Sequence, residues 1–316
     1  MALDYLLKRL FFMALSLLLV TVLVFAITQV LPGNAAVMIL GEYATPEQIA
    51  ALEQRMGLNE PLLAQYWGWL GGILRGDWGV SLQQSMPVMP MISEALGRSL
   101  ALGAVALLLV LLIAIPLGVI AAARRGGVSD LLVSMVSYIG VAVPEFVIGT
   151  LILVFLARPE LGWFPSGGFV PIGDGLWPFL SHLILPAVTL SIIMTAHIAR
   201  QTRSEMIDVL SSDYVRTATL KGLSRWTVLT RHALRNALLP TITVMALNVG
   251  YLIGGIIVIE EIFAYPGLGR LMIYAVQSRD IPLIQAATIV LAAIYITANL
   301  LADLAYALVD RRIQYE

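Results

Sequence analysis

The chain contains no cysteine, which excludes disulfide frameworks, thiolate metal sites and cysteine nucleophiles. It is also poor in charge. Asp, Glu, Lys and Arg make up 12% of 316 residues, where a soluble domain carries roughly 25%. The missing half corresponds to surface that does not face water. A hydrophobic content of 59% and a mean hydropathy of +0.89 agree. A net charge of −1 offers no basic surface for phosphate neutralisation, so nucleic acid is excluded as a partner. His182, His197 and His232 are scattered, and none has a second His or a carboxylate at metal-ligand spacing. No G-x-x-x-x-G-K-[ST] phosphate loop, H-E-x-x-H or G-x-S-x-G occurs. The sequence therefore reads as a chain without catalytic machinery, metal or cofactor of its own.

What it has in abundance is long apolar runs. A helix needs about 20 mostly apolar residues to cross the hydrocarbon core. Six stretches meet this: Leu10 to Leu31, Leu100 to Ala123, Leu131 to Ala157, Leu180 to Ile198, Leu238 to Ile259 and Ile284 to Val309. Pro144 and Glu145 interrupt the third, and His182, Pro186 and His197 dilute the fourth. The first run is about twice as long as the apolar region of a signal peptide, and Pro32-Gly33-Asn34 is a poor cleavage site, so it reads as an uncleaved span. The expected fold is an all-α integral membrane protein with six transmembrane helices.

Basic residues orient it. With the N-terminus inside, the cytoplasmic side receives Lys8, Arg9, Arg124, Arg125, Arg200, Arg203, Arg216, Lys221, Arg225, Arg231, Arg235, Arg311 and Arg312, and the outer side only Arg55, Arg75, Arg98, Arg158, Arg270 and Arg279. Both termini are expected in the cytoplasm. The organisation expected is a cytoplasmic N-terminus with the first span (1–31), an extracytoplasmic helical segment (32–98), a five-helix core (99–309) carrying a cytoplasmic loop (201–236), and a cytoplasmic tail (310–316).

In the outer segment, Thr45-Pro46-Glu47 is a helix start, Ile49, Leu52 and Met56 recur at helical spacing, and Gly57 ends the run. Tyr66, Trp67, Trp69 and Leu70 then precede Gly76-Asp77-Trp78-Gly79, and Tyr and Trp commonly anchor at membrane boundaries. Two readings stand: a helical cap resting on the outer membrane surface, or a cap that also touches a soluble delivery protein. The last outer loop, Glu260 to Pro282, carries Glu261, Tyr265-Pro266-Gly267-Leu268-Gly269-Arg270 and Asp280. It reads either as surface-exposed or as re-entering the membrane mouth beside a cavity.

The cytoplasmic loop concentrates charge on short helices. Asp213 to Lys221 fits one helix, with Asp213 placed to cap it and Gly222 supplying the positive φ that ends it. A second helix starts at Ser224 and carries Trp226, Leu229, Arg231, His232 and Arg235 before Pro240. Such helices either lie on a membrane face or dock into a partner's groove. Two acids lie within spans. Asp303 is near a cytoplasmic end, whereas Glu145 beside the helix-breaking Pro144 is the candidate for the solute pathway, or for pairing with a partner subunit.

Asp213-Tyr214-Val215-Arg216-Thr217-Ala218, Lys221-Gly222-Leu223 and Arg231-His232-Ala233-Leu234-Arg235-Asn236-Ala237-Leu238-Leu239-Pro240 together resemble the coupling-loop motif of ABC importer permeases. The likeness is to the dipeptide, oligopeptide and nickel branch, with Arg216-Thr217-Ala218 at the place of the family's E-A-A triplet. Met56-Gly57-Leu58-Asn59-Glu60-Pro61-Leu62, Gln65-Tyr66, Gly76-Asp77-Trp78-Gly79-Val80-Ser81, Glu261 to Arg270 and Arg279-Asp280-Ile281-Pro282 resemble the first, B-type permease of such systems. Leu31-Pro32-Gly33-Asn34 departs from the family, which has Asp after the Gly.

The resemblance implies the type I importer permease fold in a bacterial inner membrane. Besides the lipid bilayer it implies three kinds of partner: a homologous second permease, one or two cytoplasmic ATPases that bind ATP and Mg, and an extracytoplasmic substrate-binding protein. It makes Asp213, Tyr214, Arg216, Thr217, Ala218, Lys221, Gly222 and Arg225 the ATPase-coupling residues. Pro144 and Glu145 remain pathway candidates, and Glu261, Pro266, Gly267, Arg270 and Asp280 form the outer-mouth loop. The rival classes are an ion-gradient-driven secondary transporter, with Glu145 carrying the proton, and a membrane scaffold without transport.

Overall fold

The structure, a computed structural model, describes residues 2–30, 45–55 and 59–309. The turn at Leu31-Pro32-Gly33-Asn34, the stretch Met56-Gly57-Leu58 and the tail 310–316 lie outside the described residues. The helices are α1 (Ala2–Val30), α2 (Pro46–Arg55), α3 (Leu62–Leu74), α4 (Val88–Ala123), α5 (Val128–Ala142), α6 (Glu145–Leu156), α7 (Leu176–Leu210), α8 (Asp213–Leu220), α9 (Arg235–Ile262), α10 (Leu268–Gln277) and α11 (Ile281–Val309). Among the described residues the only extended pairing is an isolated bridge between Val80 and Pro87.

Among the described residues, four helices are each long and apolar enough to cross a membrane: α1 over Leu7–Gln29, α4, α7, and α11 over Ile281–Leu304. The pair α5 and α6 makes a fifth if counted as one broken span. That is one fewer than the six expected; the remaining expected span, Leu238 to Ile259, falls on the 28-residue helix α9.

Two helices overrun their expected limits. α4 begins at Val88 rather than near Leu100, because Val88, Ile92 and Ala95 recur on one face and are buried, while Ser93, Glu94 and Arg98 lower the local hydropathy. α7 continues past Ile198 because Thr202 and Met206 keep one face buried.

The third expected span is not merely interrupted. α5 and α6 meet at 105°. Val143 is extended, at φ −93° and ψ 125°, as a residue before proline prefers. Pro144, lacking an N–H, then sits ahead of the first residue of α6.

The chain divides into two compact units, Met1–Arg98 with Gly267–Thr297, and Ser99–Pro266 with Ala298–Glu316. In the first, α1 turns Thr21, Val24, Phe25 and Thr28 inward, a spacing that places them on one helix face. Thr28 Oγ1 accepts a hydrogen bond from Gln285 Nε2 at 2.8 Å. Val88, Ile92 and Ala95 of α4 form a core with Leu268 and Ala275 of α10 and Leu283, Ala286 and Ala287 of α11. Asp280 is fully buried. Its carboxylate accepts from the Leu283 N–H at 3.4 Å, capping α11, from the Ser81 hydroxyl and from the Gln83 N–H at 3.4 Å. One acid thus both caps a span and ties the 81–83 turn to it.

The second unit is built around α7, the most buried of the spans. The polar residues that dilute its hydropathy are tolerated because it faces protein rather than lipid. Leu102, Ala106, Val110 and Ala114, four apart on α4, pack with Leu183, Leu190, Met194 and Ile198 of α7 and Leu252 and Ile259 of α9. Small residues set the approach of the backbones, as is common between membrane helices. A Cβ on Gly118 would stand 2.6 Å from Thr202 Cβ and 2.7 Å from the Ala199 carbonyl oxygen, and one on Gly149 would stand 3.0 Å from Thr189 Cγ2. Arg203 of α7 grips Asp130 of α5 with both ends of its guanidinium fork, Nη2 to Oδ2 at 2.9 Å and Nε to Oδ1. Asp130 also accepts from the Gly126 N–H at 2.9 Å.

Two stability predictions follow from these contacts. Gly118→Ala gains about 1 kcal/mol of helix propensity but overpacks a backbone contact at a cost of about 1–3 kcal/mol, so the thermal midpoint of the detergent-solubilised protein falls. Asp280→Ala removes a cap, about 1 kcal/mol, and leaves the buried Ser81 hydroxyl without its acceptor, a further cost of about 1–3 kcal/mol. Asp280→Asn keeps one acceptor oxygen, for the cap, and turns its amide N–H donors toward the Ser81 hydroxyl, which can accept; it lowers the same midpoint by less.

Candidate coupling loop and pathway site

α8 is held from behind and open in front. Val215 and Ala218, three residues apart, are buried against Val228 with Val209 and Leu210. Asp213, Arg216, Thr217, Lys221 and Gly222 are exposed. Asp213 occupies the first helical position instead of the cap; Ser212 stands at the cap without a side-chain bond to the helix. There the Asp213 charge still suits the positive end of the helix dipole.

The helix end is closed by its own chain. Gly222 has φ +77°, its N–H donates to the Thr219 carbonyl at 3.0 Å, and the Leu223 N–H donates to the Ala218 carbonyl at 3.4 Å. This is the Schellman pattern, in which a left-handed glycine satisfies the last carbonyls. It agrees with the sequence expectation for Gly222.

Two exposed side chains of the expected set also brace the loop. The Tyr214 hydroxyl accepts from Asn236 Nδ2 at 2.7 Å and lies 3.4 Å from the His232 carbonyl. Arg225 Nη2 donates to the Ala123 carbonyl at 2.5 Å, at the end of α4. Ser224 caps the following turn, its Oγ accepting from the Thr227 N–H at 3.2 Å. Arg225–Thr227 then runs through a π-helical stretch, Val228–Leu234, directly into α9. The second loop helix is therefore the root of α9, and Pro240 lies inside α9 instead of ending the loop.

Leu220 and Trp226 are 80% and 73% exposed, with Leu223 between them also exposed. Sequence reading noted Trp226 but passed over the two leucines. Their signal was the three-residue spacing of large apolar side chains around a helix stop.

Glu145 sits at the first position of α6, at the corner with α5. An ideal Cβ on Gly255 of α9 would lie 2.9 Å from Glu145 Oε2 and 3.1 Å from Oε1. The carboxylate thus occupies the space that the glycine leaves. Tyr251 precedes Gly255 by one turn on the same face and is more than half exposed. Among the described residues no hydrogen bond or ion pair engages the Glu145 carboxylate.

The outer-mouth residues fall in different units: Glu261 and Pro266 in the second, Gly267, Arg270 and Asp280 in the first. α9 ends in another Schellman closure, Ala264 N–H to the Glu261 carbonyl at 3.2 Å and Tyr265 N–H to the Glu260 carbonyl at 2.8 Å. Here a non-glycine residue, Ala264, takes φ +47°. Glu260, which opens the expected outer loop, is fully buried and accepts a hydrogen bond from Ser99. Tyr265, also buried, meets Phe169 edge to face at 5.7 Å.

Comparison with known proteins supplies the family. Residues 114–315 match the model described as the inner membrane component of binding-protein-dependent transport systems, and residues 2–103 match the N-terminal model of the same component. A probable peptide ABC transporter permease protein of Sinorhizobium fredii is 40% identical over 311 residues, 98% of this chain and 99% of the relative. The oligopeptide transport system permease protein of Bacillus subtilis is 39% identical over 314 residues, 98% and 99% respectively. A glutathione transport system permease protein of Salmonella paratyphi A is 38% identical over 314 residues, 99% and 100%. A solved amino acid ABC transporter shares 18% identity at a TM-score of 0.47, covering 71% of this chain and 95% of that one; nothing is argued from it.

These matches run the length of the chain and disfavour the ion-gradient and scaffold alternatives. The chain belongs to the binding-protein-dependent transport system inner membrane component family, and is a multi-pass permease subunit of an ABC importer.

Proposed function

We propose that this chain forms half of the translocation pathway of an importer of peptides or related small solutes, and that α8 is the handle by which a separate ATPase moves it. The observation that carries the reading is the two-sided character of α8. Its rear face is packed on Val228, Val209 and Leu210, Tyr214 pins it to the root of α9, and Arg225 braces the loop against the end of α4. Its front presents Arg216, Thr217 and Lys221, followed by Leu220, Leu223 and Trp226. A surface with apolar anchors rimmed by cations is suited to a groove with an acidic border. Since the handle is tied to α4, α7 and α9, a displacement of α8 carries those helices with it.

The cycle we infer has ATP close a pair of cytoplasmic ATPase subunits, which bind the nucleotide and Mg. The coupling helices of this chain and of a homologous second permease are drawn together, and the pathway opens toward an extracytoplasmic binding protein. Both termini are cytoplasmic in this reading. The relatives named for peptide, oligopeptide and glutathione transport favour a peptide-like cargo. Glu145 with Pro144 is assigned to the pathway, because an ionisable group in a span faces a bundle interior or an aqueous cavity. The free ammonium of a peptide is a fitting partner for it.

Arg216 and Lys221 changed together to Glu, or Gly222→Pro alone, abolish ATP-dependent uptake into vesicles while membrane insertion is unchanged. Uptake at the normal rate in either variant overturns the handle assignment. Glu145→Gln raises the KM for a peptide with a free N-terminus by about tenfold, the equivalent of about 1.4 kcal/mol. An N-acetylated peptide, where transported, is unaffected by that change; an equal loss for both peptides removes Glu145 from cargo contact.

A further inference from the structure

α3 is unlike the other segments outside the long spans. Leu62–Leu74 contains no charged residue. It has one buried side chain, Tyr66, while Leu63, Trp67 and Leu74 are 74%, 62% and 79% exposed. These three share one face, at spacings of four and seven residues. A helix lying on a membrane surface carries a strongly charged face toward water. α3 has none, and a helix apolar all round belongs in a core or a bilayer.

Its contacts with α1 give the depth. The Tyr66 hydroxyl is hydrogen-bonded to Thr21 Oγ1 at 2.9 Å. Phe25 meets both Tyr66 and Trp69 with ring centroids 5.5 Å apart, and Gln29 Nε2 donates to Gln65 Oε1 at 3.2 Å. The apolar span of α1 runs from Leu7 to Gln29. Thr21 lies eight residues before its outer end, about 12 Å along a helix rising 1.5 Å per residue. α3 therefore packs against the outer part of a span, at hydrocarbon depth. On α1 itself, Leu18, Leu19, Val22, Leu23 and Ile27 are also exposed, so the apolar face of α3 continues a lipid-facing surface.

The C-terminal end of α3 is closed by its own chain, while its N-terminal end begins at Pro61 without a side-chain cap. The Ala64 N–H donates to the Pro61 carbonyl at 2.8 Å. At the other end, the Gly76 N–H donates to the Ile73 carbonyl and the Asp77 N–H to the Gly72 carbonyl, at 3.0 and 2.9 Å. Arg75 Nε takes the Gly71 carbonyl at 2.8 Å. Lipid offers no hydrogen bonds, so backbone immersed in it must be satisfied internally. Gly68, Gly71 and Gly72 weaken α3 as an isolated helix in water, whereas a waterless surround favours helix regardless.

We infer that α3 is sunk into the outer leaflet beside α1, with Leu63, Trp67 and Leu74 against the acyl chains, and is neither a water-exposed cap nor a docking face for a soluble protein.

The absence of native cysteine makes the test direct. Leu63→Cys and Leu74→Cys, with Glu60→Cys as a water-exposed reference, are placed singly in the assembled transporter in phosphatidylethanolamine–phosphatidylglycerol vesicles and checked for retained uptake. A membrane-impermeant maleimide labels the two leucine positions at least tenfold more slowly than position 60. A polarity-sensitive probe attached at each leucine position before reconstitution is quenched when phosphatidylcholine brominated on its acyl chains is included. Labelling at the rate of position 60 places α3 in water and overturns the inference. Slow labelling without quenching by the brominated lipid means that protein covers the face, and overturns it equally.

Discussion

A bilayer offers the backbone no hydrogen bonds, so every N–H and C=O at depth must find a partner within the chain. Helix interiors meet this automatically, and the difficulty concentrates at helix ends. One closure recurs at four helix ends, both at the membrane and on the loop: Gly76 after α3, Gly222 after α8, Ala264 after α9 and Arg279 after α10 each take positive φ while two N–H groups return to the last turn. At the start of α11 a buried carboxylate, Asp280, performs the corresponding task for N–H groups. Where α5 turns into α6, Pro144 removes the N–H that would otherwise need a partner.

Closed ends allow stiffness, and stiffness is what a chain without an ATPase of its own requires. α8 is short and would be unstable alone, yet it is pinned by a small apolar core, a Tyr214–Asn236 hydrogen bond and the Arg225 brace. Asp130 and Arg203 join α5 to α7, and small residues such as Gly118 and Gly149 let α4 and α6 approach α7 closely. These contacts tie the exposed eight-residue helix to several spans, as the proposed handle requires.

Much of this was legible in the sequence. Gly222 ended α8 as its left-handed preference requires, the long apolar runs became helices, and the break at Pro144 was foreseen. What sequence reading blurred were places where one residue serves two structures. Asp213 was expected at the cap and lies one position inside the helix. Arg225, expected among the coupling residues, is exposed and also reaches the Ala123 carbonyl. Pro240 was expected to close the loop and is carried inside α9, downstream of a π-helical stretch. Spans were set too short wherever an amphipathic turn continued past the apolar run, as at Val88 and at Met206, because hydropathy averages both faces of a helix while burial acts on one.

The sequence by itself determined the class of the protein and singled out the segment proposed as its coupling handle. Scarcity of charge forces surface into lipid, lipid forces helix, and the long motif around Gly222 is local in the chain. Only the tertiary structure decided which exposed side chains also brace the fold: Tyr214 and Arg225 are engaged, and Glu145 is set against the space of a glycine 110 residues away. Those outcomes depend on contacts between residues far apart along the chain, which hydropathy and spacing do not encode.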